Sequence, residues 1–205
     1  MRKKFSVLSV LTGLCMVLPM ALAAQAQGAK SVSPFGFMVE NAGIRVVVDA
    51  EATRLQGKSK FIPLVVFVGS SGAQTITLDR GAFTLTDPSG AVHPLATQAE
   101  ISDKKNYGLF NVANDYTFVH KTINAGPDVQ SYNGLEFQDD TCFFPNISGR
   151  PALVRDNVQV RPNAFTAALL YFANPAGKAA GTYKLTYTDP ATKTSVVVPF
   201  EIKWK

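Results

Sequence analysis

Few side chains in this sequence are equipped for chemistry. Its thiols are Cys15 and Cys142, and its imidazoles are His93 and His120. Cys142 with either histidine as base would make an activated nucleophile. The surrounding run Asp139-Asp140-Thr141-Cys142-Phe143-Phe144 argues against it. Two carboxylates raise a thiol pKa and disfavour the thiolate, and two adjacent rings suit a small buried residue. No His-x-His, Cys-x-x-Cys or His-Glu-x-x-His spacing gathers metal ligands, and beyond the first twenty positions Met38 is the sole methionine available for copper. The adjacent acids Asp139 and Asp140 point in opposite directions on an extended chain, so they seldom share one calcium ion. Gly-x-Ser-x-Gly and the phosphate-cradling glycine motifs are absent. The reading is therefore no catalytic residue, no metal and no cofactor. A hydrolase using Cys142 or an unrecognised carboxylate pair is the alternative.

A second set of residues suits binding. Between positions 107 and 144 lie Tyr107, Phe110, Tyr116, Phe118, Tyr132, Phe137, Phe143 and Phe144, interleaved with Asn111, Asn114, Asn133, Gln138, Asp139 and Asp140. Rings with amides and acids between them could stack and hydrogen-bond a sugar or peptide. The same rings could instead fill a small second core, the commonest use of phenylalanine. Under the binding reading Tyr107, Tyr116, Tyr132, Asn133, Asp139 and Asp140 are the ligand-binding candidates, the tyrosines being amphipathic.

The elements that must position these residues are mostly strands. Ile44, Val46, Val48 and Ala50 alternate with Arg45 and Asp49; Tyr183, Leu185 and Tyr187 alternate with Lys184, Thr186 and Thr188; Val196, Val198, Phe200, Ile202 and Trp204 form the longest stripe. The runs 61–68 and 164–172 are nearly all apolar and fit central strands. Gly69-Ser70-Ser71-Gly72, Asp87-Pro88-Ser89-Gly90 and Asp189-Pro190-Ala191-Thr192 supply turn chemistry between strands, and Pro199 marks an edge or a bulge in the last one. Leu109, Val112, Ala113, Tyr116, Val119 and Ile123 form a helical stripe with Asp103 or Asn106 as cap. Successive strands with hairpin turns predict an all-β, antiparallel β-sandwich.

The strand-and-turn Phe83-Thr84-Leu85-Thr86-Asp87-Pro88-Ser89-Gly90, and Arg161-Pro162-Asn163 leading into Phe165–Phe172, resemble uncharacterised immunoglobulin-like domains of bacterial secreted proteins and lipoproteins. The resemblance covers 44–94 and 160–205. It implies an immunoglobulin-like sandwich and no particular activity. Residues 95–163 depart from that plan as a long insertion expected to hold a short helix, since structureless loops beyond ~15 residues are uncommon.

Residues 1–23 read as a signal peptide: basic Arg2-Lys3-Lys4, an apolar run, then Ala21-Leu22-Ala23, with Ala24-Gln25-Ala26 as the second cleavage choice. A retained anchor is the competing reading, but the apolar stretch is shorter than the ~20 residues a spanning helix needs. Cys15 lacks a lipobox around it and falls inside the leader, so one thiol remains for the oxidising compartment. Cleavage leaves 24–205 as one domain, with no membrane span. The formal charge of +5 includes the three leader cations. What remains is too little to imply a nucleic-acid partner. The resulting expectation is a periplasmic or secreted, non-enzymatic binding or accessory protein that recognises a protein or glycan of the cell envelope through the insertion. A purely structural envelope role is a further alternative.

Overall fold

The computed structural model describes residues 28–56, 59–105, 107–108, 111–115, 117–118, 134–138, 157–174 and 177–205. The described chain is mostly β-strand: β1 (Lys30–Ser31), β2 (Gly36–Asn41), β3 (Ile44–Asp49), β4 (Phe61–Ser70), β5 (Ile76–Asp79), β6 (Phe83–Thr86), β7 (Val92–Pro94), β8 (Glu136–Phe137), β9 (Asn157–Val160), β10 (Ala164–Ala173), β11 (Thr182–Thr188) and β12 (Ser195–Glu201). Short helices α1 (Glu51–Arg54) and α2 (Gln98–Ser102) interrupt it, and residues 111–115 and 117–118 are helical.

Six strands form the large sheet in the order β1-β2-β3-β4-β10-β8, four form the small sheet in the order β12-β11-β6-β7, and β5 pairs with β9. The two apolar runs lie side by side in the middle of the large sheet as β4 and β10, paired from Phe165↔Gly69 to Ala173↔Phe61. Pro63 is tolerated in β4 because the β3 ladder ends at Asp49↔Val65. Beyond that point the chain has turned into α1, and the Thr53 hydroxyl donates to the Pro63 carbonyl.

Opposite residues of a ladder share a face. One face of the large sheet therefore carries Phe165, Ala167, Leu169 and Tyr171 with Phe67, Val65 and Val47; the other carries Ala168, Leu170 and Phe172 with Val66, Leu64, Val46 and Val48. The second face packs on the small sheet, whose inner row is Phe83, Leu85, Tyr183, Leu185, Tyr187, Val196, Val198 and Phe200, all buried. The Phe37 and Phe200 rings meet across the two layers at 6.4 Å.

The hairpin expectation holds for Asp87-Pro88-Ser89-Gly90, between β6 and β7, and for Asp189-Pro190-Ala191-Thr192, between β11 and β12. It fails after Gly69-Ser70-Ser71-Gly72. β5 leaves the large sheet and pairs with β9 from far along the chain, because Thr77 is claimed by the other layer: its N–H donates to Asp189 at 3.0 Å, and the Tyr187 hydroxyl donates to its carbonyl at 2.8 Å. Antiparallel pairing also has an exception, since β8 joins β10 in parallel at Ala164↔Glu136 and Phe165↔Phe137. The Arg45 and Asp49 side of β3 is not simply wet. Asp49 is buried and accepts the Glu51 N–H at 2.8 Å, while Arg45 pairs with Glu40 at 2.7 Å.

Candidate functional site

The first face of the large sheet is roofed by parts of the 95–163 segment. Tyr107 stands edge-on to both Phe61 and Tyr171, with ring centroids 5.8 and 5.3 Å apart. At the other end Phe137 lies 5.2 Å from Phe165, and Leu135 stands over Gly69. Val112 and Asp115, three apart on a helix, turn to the same inward side and are buried, whereas Asn111, Asn114 and Thr117 are exposed.

Among the described residues of this roof, Asp115 is the buried ionisable acid, only 1% exposed. Its carboxyl accepts from the Tyr171 hydroxyl at 2.9 Å, from the Tyr107 hydroxyl and from the Gln56 carboxamide. The Tyr107 hydroxyl also reaches the Gln56 carbonyl. Three distant stretches of chain thus converge on one carboxyl group: the turn after α1, the insertion and β10. Burial pushes the Asp115 pKa up to about 6, against the pull of the Tyr107, Tyr171 and Gln56 donors. Burial, with the neighbouring Asp115 charge, likewise drives the Tyr107 phenol above its usual range. A neutral carboxyl at moderate pH is the chemistry of a general acid; here both carboxyl oxygens are engaged by Tyr171, Tyr107 and Gln56.

Of the residues singled out for ligand binding, Tyr107 falls within the described residues, at 8% exposure with its ring in the core and its hydroxyl committed to Asp115 and Gln56. Tyr116, Tyr132, Asn133, Asp139 and Asp140 lie outside the described residues, as do Cys142 and His120. His93 sits in β7 and pairs with Asp87 at 2.9 Å. Among the described residues no group of three metal-ligating side chains is present, and no helix is long and apolar enough to cross a membrane. Sequence reasoning passed over Asp115 and Gln56. The available signal was a carboxylate three positions after Val112, on the inward side of an amphipathic helical stripe.

A separate feature is an open groove of about 360 Å³ at the edge between the layers, lined by Phe37 of β2 and by Pro199, Phe200 and Glu201 of β12.

Two layers of β-sheet, one of them roofed by an insertion pinned through a buried acid, define an all-β protein and leave its relationships to comparison. No protein-family model and no curated protein matches the chain. Among solved structures, the yjhA protein from Bacillus subtilis is similar at a TM-score of 0.38 and 10% identity, over 78% of this chain and 93% of that one. A likeness at that level carries no conclusion about family or activity.

Proposed function

We propose that the protein is an exported, non-enzymatic binding module on an immunoglobulin-like sandwich, recognising a protein or glycan of the cell envelope through residues 95–163. The observation that carries this reading is the two-sidedness of the insertion. Its inner row, Tyr107, Val112 and Asp115, is buried on the large sheet, while Asn111, Asn114 and Thr117 are presented outward. A segment anchored on a rigid sheet with polar side chains turned to solvent is a preorganised recognition surface. Export rests on the leader sequence at 1–23, and N-terminal sequencing of protein recovered outside the cytoplasm should begin at Ala24.

The recognition surface is tested by screening the mature protein against envelope glycans and by cross-linking in intact cells, with Asn114→Ala, Tyr116→Ala and Tyr132→Ala in parallel. Recognition through the insertion predicts saturable binding that these variants weaken about tenfold or more at unchanged melting temperature. Binding that survives all three substitutions places the surface elsewhere and sinks the proposal. The hydrolase alternative predicts turnover of a cell-wall substrate that Cys142→Ser or loss of a carboxylate pair abolishes. A structural role predicts co-purification with a large assembly and no saturable ligand.

A further inference from the structure

The Asp115 cluster has an imbalance in its hydrogen-bond count. The Tyr107 hydroxyl owns one proton and stands against two acceptors, Oε1 of Gln56 and Oδ2 of Asp115. Oδ2 also receives the Tyr171 proton at 2.9 Å, and Oδ1 receives a Gln56 Nε2 proton. With Asp115 ionised, the Tyr107 proton serves one of its two acceptors and leaves the other facing a bare lone pair. Two oxygens held in contact with no proton between them repel, and more strongly where water does not screen them. One further proton resolves the conflict. With Oδ1 protonated and the Gln56 carboxamide turned over, Oδ1–H donates to Oε1, Nε2 donates to the Tyr107 oxygen, and both phenols donate to Oδ2. Carboxamide orientation follows the network around it, so the reversal is available at little cost.

We propose that the cluster of Asp115, Tyr107, Tyr171 and Gln56 is a proton-binding site, filled under mildly acidic conditions, whose occupancy clamps the insertion onto the large sheet. The groups facing the carboxyl are Gln56 from the turn after α1, Tyr107 from the insertion itself and Tyr171 from β10. No lysine, arginine or histidine among the described residues contacts it. The Lys60 ammonium donates to the Lys105 carbonyl at 3.4 Å. Burial acts in the same direction as the proton count, holding the acid at about 6 from an ordinary 3.8. The folded-state value lies above the unfolded one, so between the two the folded protein holds more protons. The cluster's contribution is therefore full below about pH 4 and declines as pH rises through about 6.

Asp115→Asn supplies a permanent N–H where the acid's proton would stand. Melting temperatures of wild type and variant are compared from about pH 4.5 to about pH 7.5, the wild type being expected to lose roughly 5 °C relative to the variant across that range. Amide protection at Val112–Asp115, taken relative to the intrinsic exchange rate at each pH, should fall about tenfold over the same interval in the wild type alone. Parallel curves, with no pH-dependent gap, overturn the proposal. Infrared titration of the wild type gives a reading that does not depend on the variant folding. A buried carboxylic-acid carbonyl band that disappears as pH rises through about 6 supports the site, and its absence at about pH 5 rejects it.

Discussion

At the scale of single residues, two aspartates that begin Asp-Pro turns organise more than their own turns. Asp189 is fully buried and accepts from the N–H of Thr77 and Thr192 and from the hydroxyls of Thr192 and Tyr187, tying the β11–β12 hairpin to β5. Burial alone would raise its pKa, but these donors outweigh it and the net shift is downward. Asp189→Ala leaves the part-buried N–H groups of Thr77 and Thr192 without their acceptor, and should cost roughly 2 kcal/mol in urea denaturation. Asp87 does the same work in the smaller turn, its carboxyl held low by the Ser89 hydroxyl first and by His93 next. Both aspartates were legible as turn starters in Asp-Pro-x-x. Their reach into neighbouring strands was not, because it depends on which elements the fold brings alongside. Asp115 hid for a related reason: a carboxylate on an apolar helix face looks like an exception until its three donors are known.

At the scale of elements, α2 opens with a capping box. The Glu100 carboxylate accepts the Thr97 N–H at 2.7 Å, and the Thr97 hydroxyl accepts the Glu100 N–H at 3.3 Å. Thr97→Ala should cost about 1 kcal/mol by chemical denaturation. The pattern Thr97-Gln98-Ala99-Glu100 was readable in advance, but the helix it starts is too short for apolar periodicity to announce it. Gly69 in β4 marks where the insertion touches the sheet. A β-carbon there would stand 2.8 Å from Leu135 Cδ1, 2.9 Å from Phe165 Cβ and 3.2 Å from the Ala164 carbonyl. Because part of that wall is backbone, Gly69→Ala should destabilise the protein by about 1–3 kcal/mol and raise proteolytic cutting near 134–138. At the opposite border Pro199 interrupts β12, an edge strand as the sequence suggested, next to Val197 at 37% exposure. Pro199→Thr should restore a continuous edge and increase self-association, read by light scattering.

At the scale of the whole molecule, the acids with shifted pKa values pull stability in opposite directions. Asp87, Asp189, Glu40 and Glu100 have lowered pKa values, so their contribution is present above the ordinary carboxylate range and fades as pH falls through it. Asp115 is raised, so its contribution fades as pH rises. Together they predict a stability maximum at about pH 5, and in Asp115→Asn the maximum should broaden toward neutrality. The layered β architecture was readable because alternation in β3, β11 and β12 and the continuous apolar runs of β4 and β10 each report burial directly. The β5–β9 pairing and the parallel β8 were not, since strand partners that are distant in sequence leave no local trace.

The ladder between β4 and β10 also has a bearing on how the chain reaches its native state. Phe61 pairs with Ala173 and Gly69 with Phe165, so every rung closes a loop of about a hundred residues before it returns any energy. Synthesis delivers β4 long before β10, and in that interval one of the most apolar strands of the protein stands with an unpaired backbone edge. Such topology folds slowly and is most vulnerable to aggregation while half complete. The hydrophobic strand pair that makes the finished core secure therefore makes the nascent chain dependent on the arrival of its last stretch, from Ala164 onward, and a truncation before Ala164 should yield an aggregating chain rather than a smaller folded domain.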